Sequence, residues 1–145
     1  MSQASRDLWG DIRGVTSDVA PVSILREQAD LLREKTEGLI EGEIVTRTEQ
    51  TGTGTGHFPP EPIPRESNLV HTFLIRAPKL DNYRYVLLSV EHDGSELYPV
   101  TLHFHPTDEM RTAKGENGFL DVLGQWFKRN ETQRVMGRII AQINA

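Results

Sequence analysis

The region between residues 69 and 105 constrains the fold most strongly, because it contains three strand-like segments in succession. These segments cover 69–77, 83–92 and 97–105. The last two are separated by Asp93-Gly94-Ser95, a combination typical of a tight turn, so they are predicted to form a hairpin. The chain is therefore expected to contain an antiparallel sheet.

Side-chain alternation along this hairpin predicts which residues share a face. The two apolar rows must lie on the same face, which requires Val86 to pair with Leu102. A three-residue loop at 93–95 meets this condition. Pro99 cannot donate a hydrogen bond to a ladder, so we expect its strand to lie at an edge of the sheet or Pro99 itself to be unpaired.

The other face of the predicted hairpin is rich in aromatic side chains. The same register places Tyr85 opposite His103 and Tyr83 opposite His105. Such a face is expected to be covered by a helix or used for binding. The candidate binding surface consists of Tyr83, Tyr85, Leu87, Thr101, His103 and His105.

Helical periodicity flanks the strands. Residues 21–37 carry apolar side chains at helical spacing, with Pro21 suited to a first turn and Gly38 to the position after the end. Residues 39–48 are predicted to be extended. Two apolar stripes near the C-terminus, separated at Asn130, predict two helices, and Asn130 with Gln133 resembles a capping pair. The predicted fold class is α+β, with an N-terminal helix, an antiparallel sheet of about four strands and two C-terminal helices.

Two segments are predicted to be flexible. Residues 1–20 form an N-terminal arm, and residues 21–145 form a single α+β domain. Within that domain, residues 49–66 are rich in Gly and Pro and lack periodicity, which predicts a long mobile loop. The glycines are not expected to bind phosphate, because prolines follow where a helix would have to begin.

His103, His105 and Glu109 form the most specific chemical pattern in the sequence. Two imidazoles separated by one residue project from the same side of a strand, and a nearby carboxylate can complete a metal-ligand set. The spacing His-x-His-x-x-x-Glu is similar to the first metal motif of the cupin family over seven residues. That resemblance implies that all three residues bind a divalent metal ion. No His follows His105 to match the family's later motif, and the alternative is that both imidazoles are surface residues of a strand.

The N-terminal arm carries apolar residues at helical spacing inside a polar stretch. Gly10 and Gly14 each cost about 1 kcal/mol of helix stability relative to Ala, so the arm is expected to become ordered only by docking. The docking partner is another protein, a second subunit or the arm's own domain. Trp9 is the predicted anchor, since Trp is enriched in binding hot spots. The apolar set is Leu8, Trp9, Ile12 and Val15.

Composition narrows the functional classes. The absence of cysteine excludes disulfide scaffolds and cysteine-ligated metal sites. The sequence has no apolar run long enough to span a membrane and no signal-like start, so we expect a cytoplasmic protein without a membrane partner. Nucleic acid is not an expected partner, because the net charge is −5 and the basic residues form no concentrated stripe.

Two functions from different classes remain. The first is a non-enzymatic protein-binding module, an adaptor or chaperone, that needs no cofactor and acts through the Tyr/His face, an edge strand or the Trp9 arm. Its partner is another protein, or a second copy in a homodimer. Its size, acidity and order of elements resemble small bacterial secretion chaperones by analogy alone. The alternative is a metal-dependent enzyme or metal-binding protein that uses His103, His105 and Glu109.

Overall fold

The computed structural model describes residues 6–10, 12, 18–50 and 67–145, and within them the chain has the predicted α+β fold. One antiparallel sheet of five strands, in the order β1-β2-β3-β4-β5, is preceded by helix α1 and followed by helices α2 and α3. The helices are α1 Pro21–Lys35, α2 Glu116–Lys128 and α3 Asn130–Ile143; the strands are β1 Glu41–Gln50, β2 Ser67–Ala77, β3 Tyr83–Asp93, β4 Val100–Phe104 and β5 Glu109–Ala113.

Helix α1 begins and ends as its sequence predicts. Pro21 occupies the first turn, where its missing N–H costs no hydrogen bond. At the other end Gly38 has a φ of 81°, and its N–H donates to the carbonyl of Arg33 at 2.8 Å. This left-handed position closes the helix and turns the chain into β1.

The helix packs closely on β1 at Gly42. A Cβ added to Gly42 would lie 2.6 Å from the Cβ of Ala29 and 2.7 Å from its Cα. Glycine is therefore required at this position, because any side chain would push α1 away from the sheet.

One hydrophobic core lies between the sheet and the three helices. Along β4, Val100, Leu102 and Phe104 are buried in this core, whereas Thr101 and His103 point to the other side of the sheet. We call that other side the distal face. Following the strand register, it carries Thr72, Leu74, Val86, Ser89, Thr101, His103 and Met110.

The hairpin differs from its predicted register by four residues. Leu102 pairs with Val90 instead of Val86, and six residues, 94–99, connect β3 to β4. The Asp93 turn forms, since the Asp93 carboxylate accepts a hydrogen bond from the N–H of Ser95 at 2.8 Å, but the strand does not resume directly after it. Pro99 lies in the connection and is unpaired, and β4 is an interior strand between β3 and β5.

The sequence pattern does not predict β5, and it places the end of β1 too early. Strand β5 has a single buried residue, Ala113, so it lacks the apolar alternation by which strands are recognised. Strand β1 continues through Glu49 and Gln50, which the sequence predicts to be part of the mobile loop. The rest of that predicted loop, residues 51–66, lies outside the described residues.

The C-terminal helices are separated near Asn130, as the sequence predicts, but not by the predicted capping pair. Arg129 is extended, with φ −65° and ψ 149°, and ends α2 before α3 begins. Gln133 does not form the predicted capping pair with Asn130, because its side chain donates to the carbonyl of Phe127 at 2.9 Å. The hydroxyl of Thr132 donates to the carbonyl of Trp126 at 2.7 Å and so satisfies the end of α2. None of the described helices combines the length and the apolar character needed to cross a membrane.

Candidate functional site

A β-bulge in the middle of β3 divides the predicted Tyr/His surface. Phe73 pairs with Leu88 and the next residue, Leu74, pairs with Val86, so Leu87 has no partner on β2. Both Leu87 and Leu88 are fully buried. An extra residue of this kind interrupts the alternation of a strand, so the residues on its two sides change faces relative to the predicted pattern.

The tyrosines therefore lie on the helix side of the sheet. Tyr83 and Tyr85, with Ile139 of α3, line a depression of about 450 Å³. Thr101 and His103 lie on the distal face, and His105 lies beside His103. The six residues predicted to form one binding surface are thus divided between the two sides of the sheet. The prediction of a single Tyr/His face is wrong, because it assumed uninterrupted alternation along β3.

His103 and His105 form a pair at the end of β4. Their ring centroids are 4.4 Å apart, and Nε2 of His103 lies 2.5 Å from Oδ1 of Asp108. Asp108 has a φ of 60°, and this turn conformation brings its carboxylate back to the imidazole. Partial burial, followed by the neighbouring His103, lowers the pKa of His105, although the Asp108 charge opposes this shift. His103, which binds the Asp108 carboxylate, thus lies beside His105, whose neutral form is favoured.

Glu109 lies on the opposite side of the sheet from this pair. It pairs with Phe104, whose ring is buried in the core. The Glu109 carboxylate accepts hydrogen bonds at 2.9 Å from Nη1 of Arg129 and from Nε1 of Trp126. These two bonds, with that from Arg129 the larger cause, lower the pKa of Glu109 and keep it ionised.

The predicted metal-ligand set is consequently not assembled. Among the described residues, no group of three or more His, Asp or Glu side chains is arranged to hold a metal ion. The fold also differs from the double-sheet barrel that the cupin resemblance implies, since three helices cover one face of a single sheet. Glu109 instead links β5 to the end of α2.

A second histidine pair, which the sequence pattern does not reveal, is buried on the core side of the sheet. His71 and His92 are 3% and 6% exposed, and their Nε2 atoms are 2.9 Å apart. The Nδ1 atom of His92 lies 2.8 Å and 2.6 Å from the carbonyls of Asp93 and Glu96. Carbonyls only accept hydrogen bonds, so His92 Nδ1 must carry a proton.

That assignment fixes the remaining protons of the neutral pair. His92 Nε2 accepts from the N–H of His71 Nε2, and His71 Nδ1 accepts from the hydroxyl of Thr46 at 2.8 Å. Burial, then the charges of His92 and Arg26, lowers the pKa of His71 to about 4. His71, which stays uncharged above about pH 4, therefore joins β1 to β2 and, through His92, to the β3–β4 connection, a role that only the cross-strand register reveals.

The described part of the N-terminal arm is exposed. Leu8, Trp9 and Ile12 expose 84%, 82% and 65% of their surface. The carboxylate of Asp7 accepts a hydrogen bond from the N–H of Trp9 at 2.9 Å, and Gly10 has a φ of 68°, so this stretch turns and is not helical. Val15 lies outside the described residues. The structure thus presents an apolar triplet that is not packed against the core.

A groove separates α1 from the α2–α3 pair. Its volume is about 430 Å³, and Phe73 and Leu87 lie at its base. The walls include Leu31 of α1, Phe127 of α2 and Met136 of α3. The sequence does not predict this groove, because the apolar stripes of the helices indicate that they pack on a sheet and not how far apart they lie.

No protein-family model, curated protein or solved structure matches this chain.

Proposed function

We propose that the chain is an intracellular, non-enzymatic protein-binding module, adaptor-like or chaperone-like, whose contact element is the N-terminal arm. The observation that carries this proposal is the exposure of Leu8, Trp9 and Ile12, which are 84%, 82% and 65% exposed within five residues of sequence. Burying such side chains at an interface is favourable, and Trp is the most frequent kind of hot-spot anchor.

The other two predicted contact elements have less support. The Tyr/His face does not exist as one surface, because the Leu87 bulge divides it. Strand β1 is an edge strand that is exposed from Val45 to Gln50, but it carries Arg47 and Glu49 there. Charged side chains on an edge strand oppose pairing with another chain. The arm is therefore the element that best fits a protein partner.

One observation favours the alternative function, a metal-dependent enzyme or divalent-metal-binding protein. His103 and His105 lie with their ring centroids 4.4 Å apart beside Asp108, which offers nitrogen and carboxylate ligands on one side of the sheet. Glu109, the third ligand expected from the sequence, would have to leave Trp126 and Arg129 to join them. The binding-module proposal requires no such rearrangement.

The test replaces the anchor and a matched exposed residue. Met110 is 62% exposed on β5 and lies far from the arm in sequence, so Met110→Ala is the control for Trp9→Ala. We expect Trp9→Ala to lose at least tenfold of the affinity for protein partners retained from a lysate of the source cells, while Met110→Ala keeps it. Both variants should unfold at the same temperature as the wild type.

Two results would contradict the proposal. If Trp9→Ala retained the same partners as the wild type with equal affinity, the arm would not be the contact element. If Trp9→Ala lowered the unfolding temperature as a core substitution does, Trp9 would belong to the fold and not to an interface.

A further inference from the structure

We propose that the buried His71–His92 pair is an acid-operated latch, which holds the β3–β4 connection and the base of the N-terminal arm closed at neutral pH and releases both when it takes up protons. The connection is residues 94–99, and the base of the arm is Val19 with the first turn of α1. The release of the arm rests on the proposed function, because it regulates the element that contacts a partner, whereas the latch itself does not.

The histidine pair lies where the connection is fastened to two strands. His71 of β2 and His92 of β3 are 3% and 6% exposed, and their Nε2 atoms are 2.9 Å apart. His92 Nδ1 donates to the carbonyl of Glu96 in the connection at 2.6 Å. The N–H of Gly94 donates to the carbonyl of Ser67, at the start of β2, at 3.1 Å. The pair and the connection therefore form one bonded unit at this end of the sheet.

The geometry of the closed pair limits how many protons it can hold. His92 Nδ1 carries one, because the carbonyls that it contacts only accept hydrogen bonds. The gap between the Nε2 atoms holds one more, since two N–H groups cannot point at each other across 2.9 Å. His71 Nδ1 can take a proton only if the Thr46 hydroxyl turns from donor to acceptor. The closed pair thus holds at most three protons, whereas two hydrated histidines hold four.

The surroundings also oppose a charge on the closed pair. Arg26 of α1 repels a charge on His71, which adds to the cost of burial. Asp93 attracts a charge on His92, but its carboxylate already accepts two hydrogen bonds from Ser95, both at 2.8 Å. The other titratable residues of β1, β3 and the connection near the pair lie on the distal face or are exposed: Arg47, Glu49, Glu91 and Glu96.

Opening of the connection removes both constraints, because water then reaches the rings and each histidine can bind its second proton. The pKa of His71 in the closed pair is lowered to about 4, by burial first and then by the charges of His92 and Arg26. A histidine in water has a pKa of about 6.5. This difference alone raises the ratio of open to closed molecules roughly 25-fold between pH 7.5 and pH 5.0.

Tyr98 transmits the opening from the connection to the arm. Its hydroxyl donates to the carbonyl of Val19 at 2.9 Å, two residues before α1 begins at Pro21. The first turn of α1 is closed by the N–H of Ser23, which donates to the carbonyl of Ala20 at 3.0 Å. When the connection moves, Tyr98 leaves Val19, and the turn from which the arm extends loses this support.

Hydrogen exchange of the full chain at pH 7.5 and pH 5.0, read by mass spectrometry and corrected for the intrinsic effect of pH, measures each step. The connection and residues 21–24 are compared with residues 117–127 of α2, the internal control. His71→Gln supplies a neutral side chain that can still bond to Thr46 and His92. His105→Gln is the matched control, because it removes an exposed histidine outside the pair.

We expect the connection to exchange at least tenfold faster at pH 5.0 in the wild type and in His105→Gln, and residues 21–24 at least threefold faster, while α2 is unchanged. His71→Gln should show at most a third of the acceleration in the connection. Tyr98→Phe should still open its connection at pH 5.0, but residues 21–24 should no longer respond to pH.

The comparison of segments in the wild type is decisive even if a variant fails to fold. A connection that exchanges equally at both pH values overturns the latch. Equal acceleration in α2 also overturns it, because the protons would then act on the whole domain. An open connection with unchanged residues 21–24 overturns the link to the arm. Partner binding by Trp9→Ala at neutral pH tests the proposed function separately, since the latch is closed there.

Discussion

The two tryptophans of the chain occupy regions with opposite roles. Trp126 is fully buried, its ring stacks on Phe104 with centroids 5.2 Å apart, and its Nε1 donates to Glu109. Trp9 is 82% exposed, and its backbone N–H is bonded to Asp7. Both belong to apolar residues at helical spacing, so spacing alone does not separate a core helix from a docking segment. The two segments differ in backbone conformation, because Gly10 has a φ of 68° and turns the arm, whereas Gly124, two residues before Trp126, lies within the helix.

The largest expected loss of stability is for a substitution of Trp126, the buried tryptophan. We expect Trp126→Ala to lower the free energy of unfolding by about 3–5 kcal/mol, since it empties a large core site and leaves the Glu109 carboxylate without one of its donors. Trp9→Ala should change the same quantity by less than about 0.5 kcal/mol. Urea denaturation of both variants measures the difference. Equal effects would show that the two regions do not differ as described.

The buried histidine pair predicts a pH-dependent stability of intermediate size. The pKa of His71 is lowered to about 4 in the folded protein, so the unfolded chain takes up this proton first as the pH falls. Stability is fully present above the unfolded pKa of about 6.5 and is lost between there and about pH 4, by roughly 2–3 kcal/mol. Urea denaturation at a series of pH values measures this loss.

A second histidine provides the control for that prediction. His105 is an exposed residue whose pKa is also lowered, so His105→Gln should retain most of the pH dependence while His71→Gln loses it. The pKa values of Asp93 and Glu109 are lowered too, but carboxylates begin to lose their contribution only below about pH 4.5, at the acid end of the histidine window, and do so equally in both variants. An unchanged pH profile in His71→Gln would contradict the account of the buried pair.

The smallest stability effect tests the packing that forms one wall of the groove. Gly42→Ala places a methyl group 2.6 Å from the Cβ of Ala29, and we expect a loss of about 1–3 kcal/mol as α1 moves away from β1. Gly137→Ala is the control, because no atom lies within 4 Å of the added methyl group and alanine favours a helix. The unfolding temperature should thus be lowered in Gly42→Ala and unchanged or raised in Gly137→Ala, as thermal unfolding measures.

The sequence predicts the elements of this fold better than their register. Pro21, Gly38 and the break near Asn130 identify the helix ends because each acts through local backbone geometry. The hairpin was expected from the turn at Asp93, which does form. Its register was displaced by four residues, because the residues from Gly94 to Pro99 that follow the turn are not part of a strand.

The Trp9 arm was predicted from its sequence, but the division of the Tyr/His face could not be, because it depends on one extra residue in β3. Three successive apolar residues, Val86, Leu87 and Leu88, are the sequence signal of the bulge, since strict alternation would leave one of them on the wrong face. The same limit applies to the pairing of His71 with His92, to the separation of Glu109 from His103 and to the groove. All three depend on which residues face one another across strands or between helices. Such positions are long-range and leave no local pattern.

The most direct test of the central claim, that the arm lies outside the core, is acrylamide quenching of each tryptophan alone. The variants are Trp126→Phe, which retains Trp9, and Trp9→Phe, which retains Trp126, both measured folded and at high dilution. The account predicts that Trp9 is quenched nearly as readily as in the unfolded chain and that Trp126 is protected. Protection of Trp9 in the dilute folded protein would place the arm within the fold and contradict its role as a contact element.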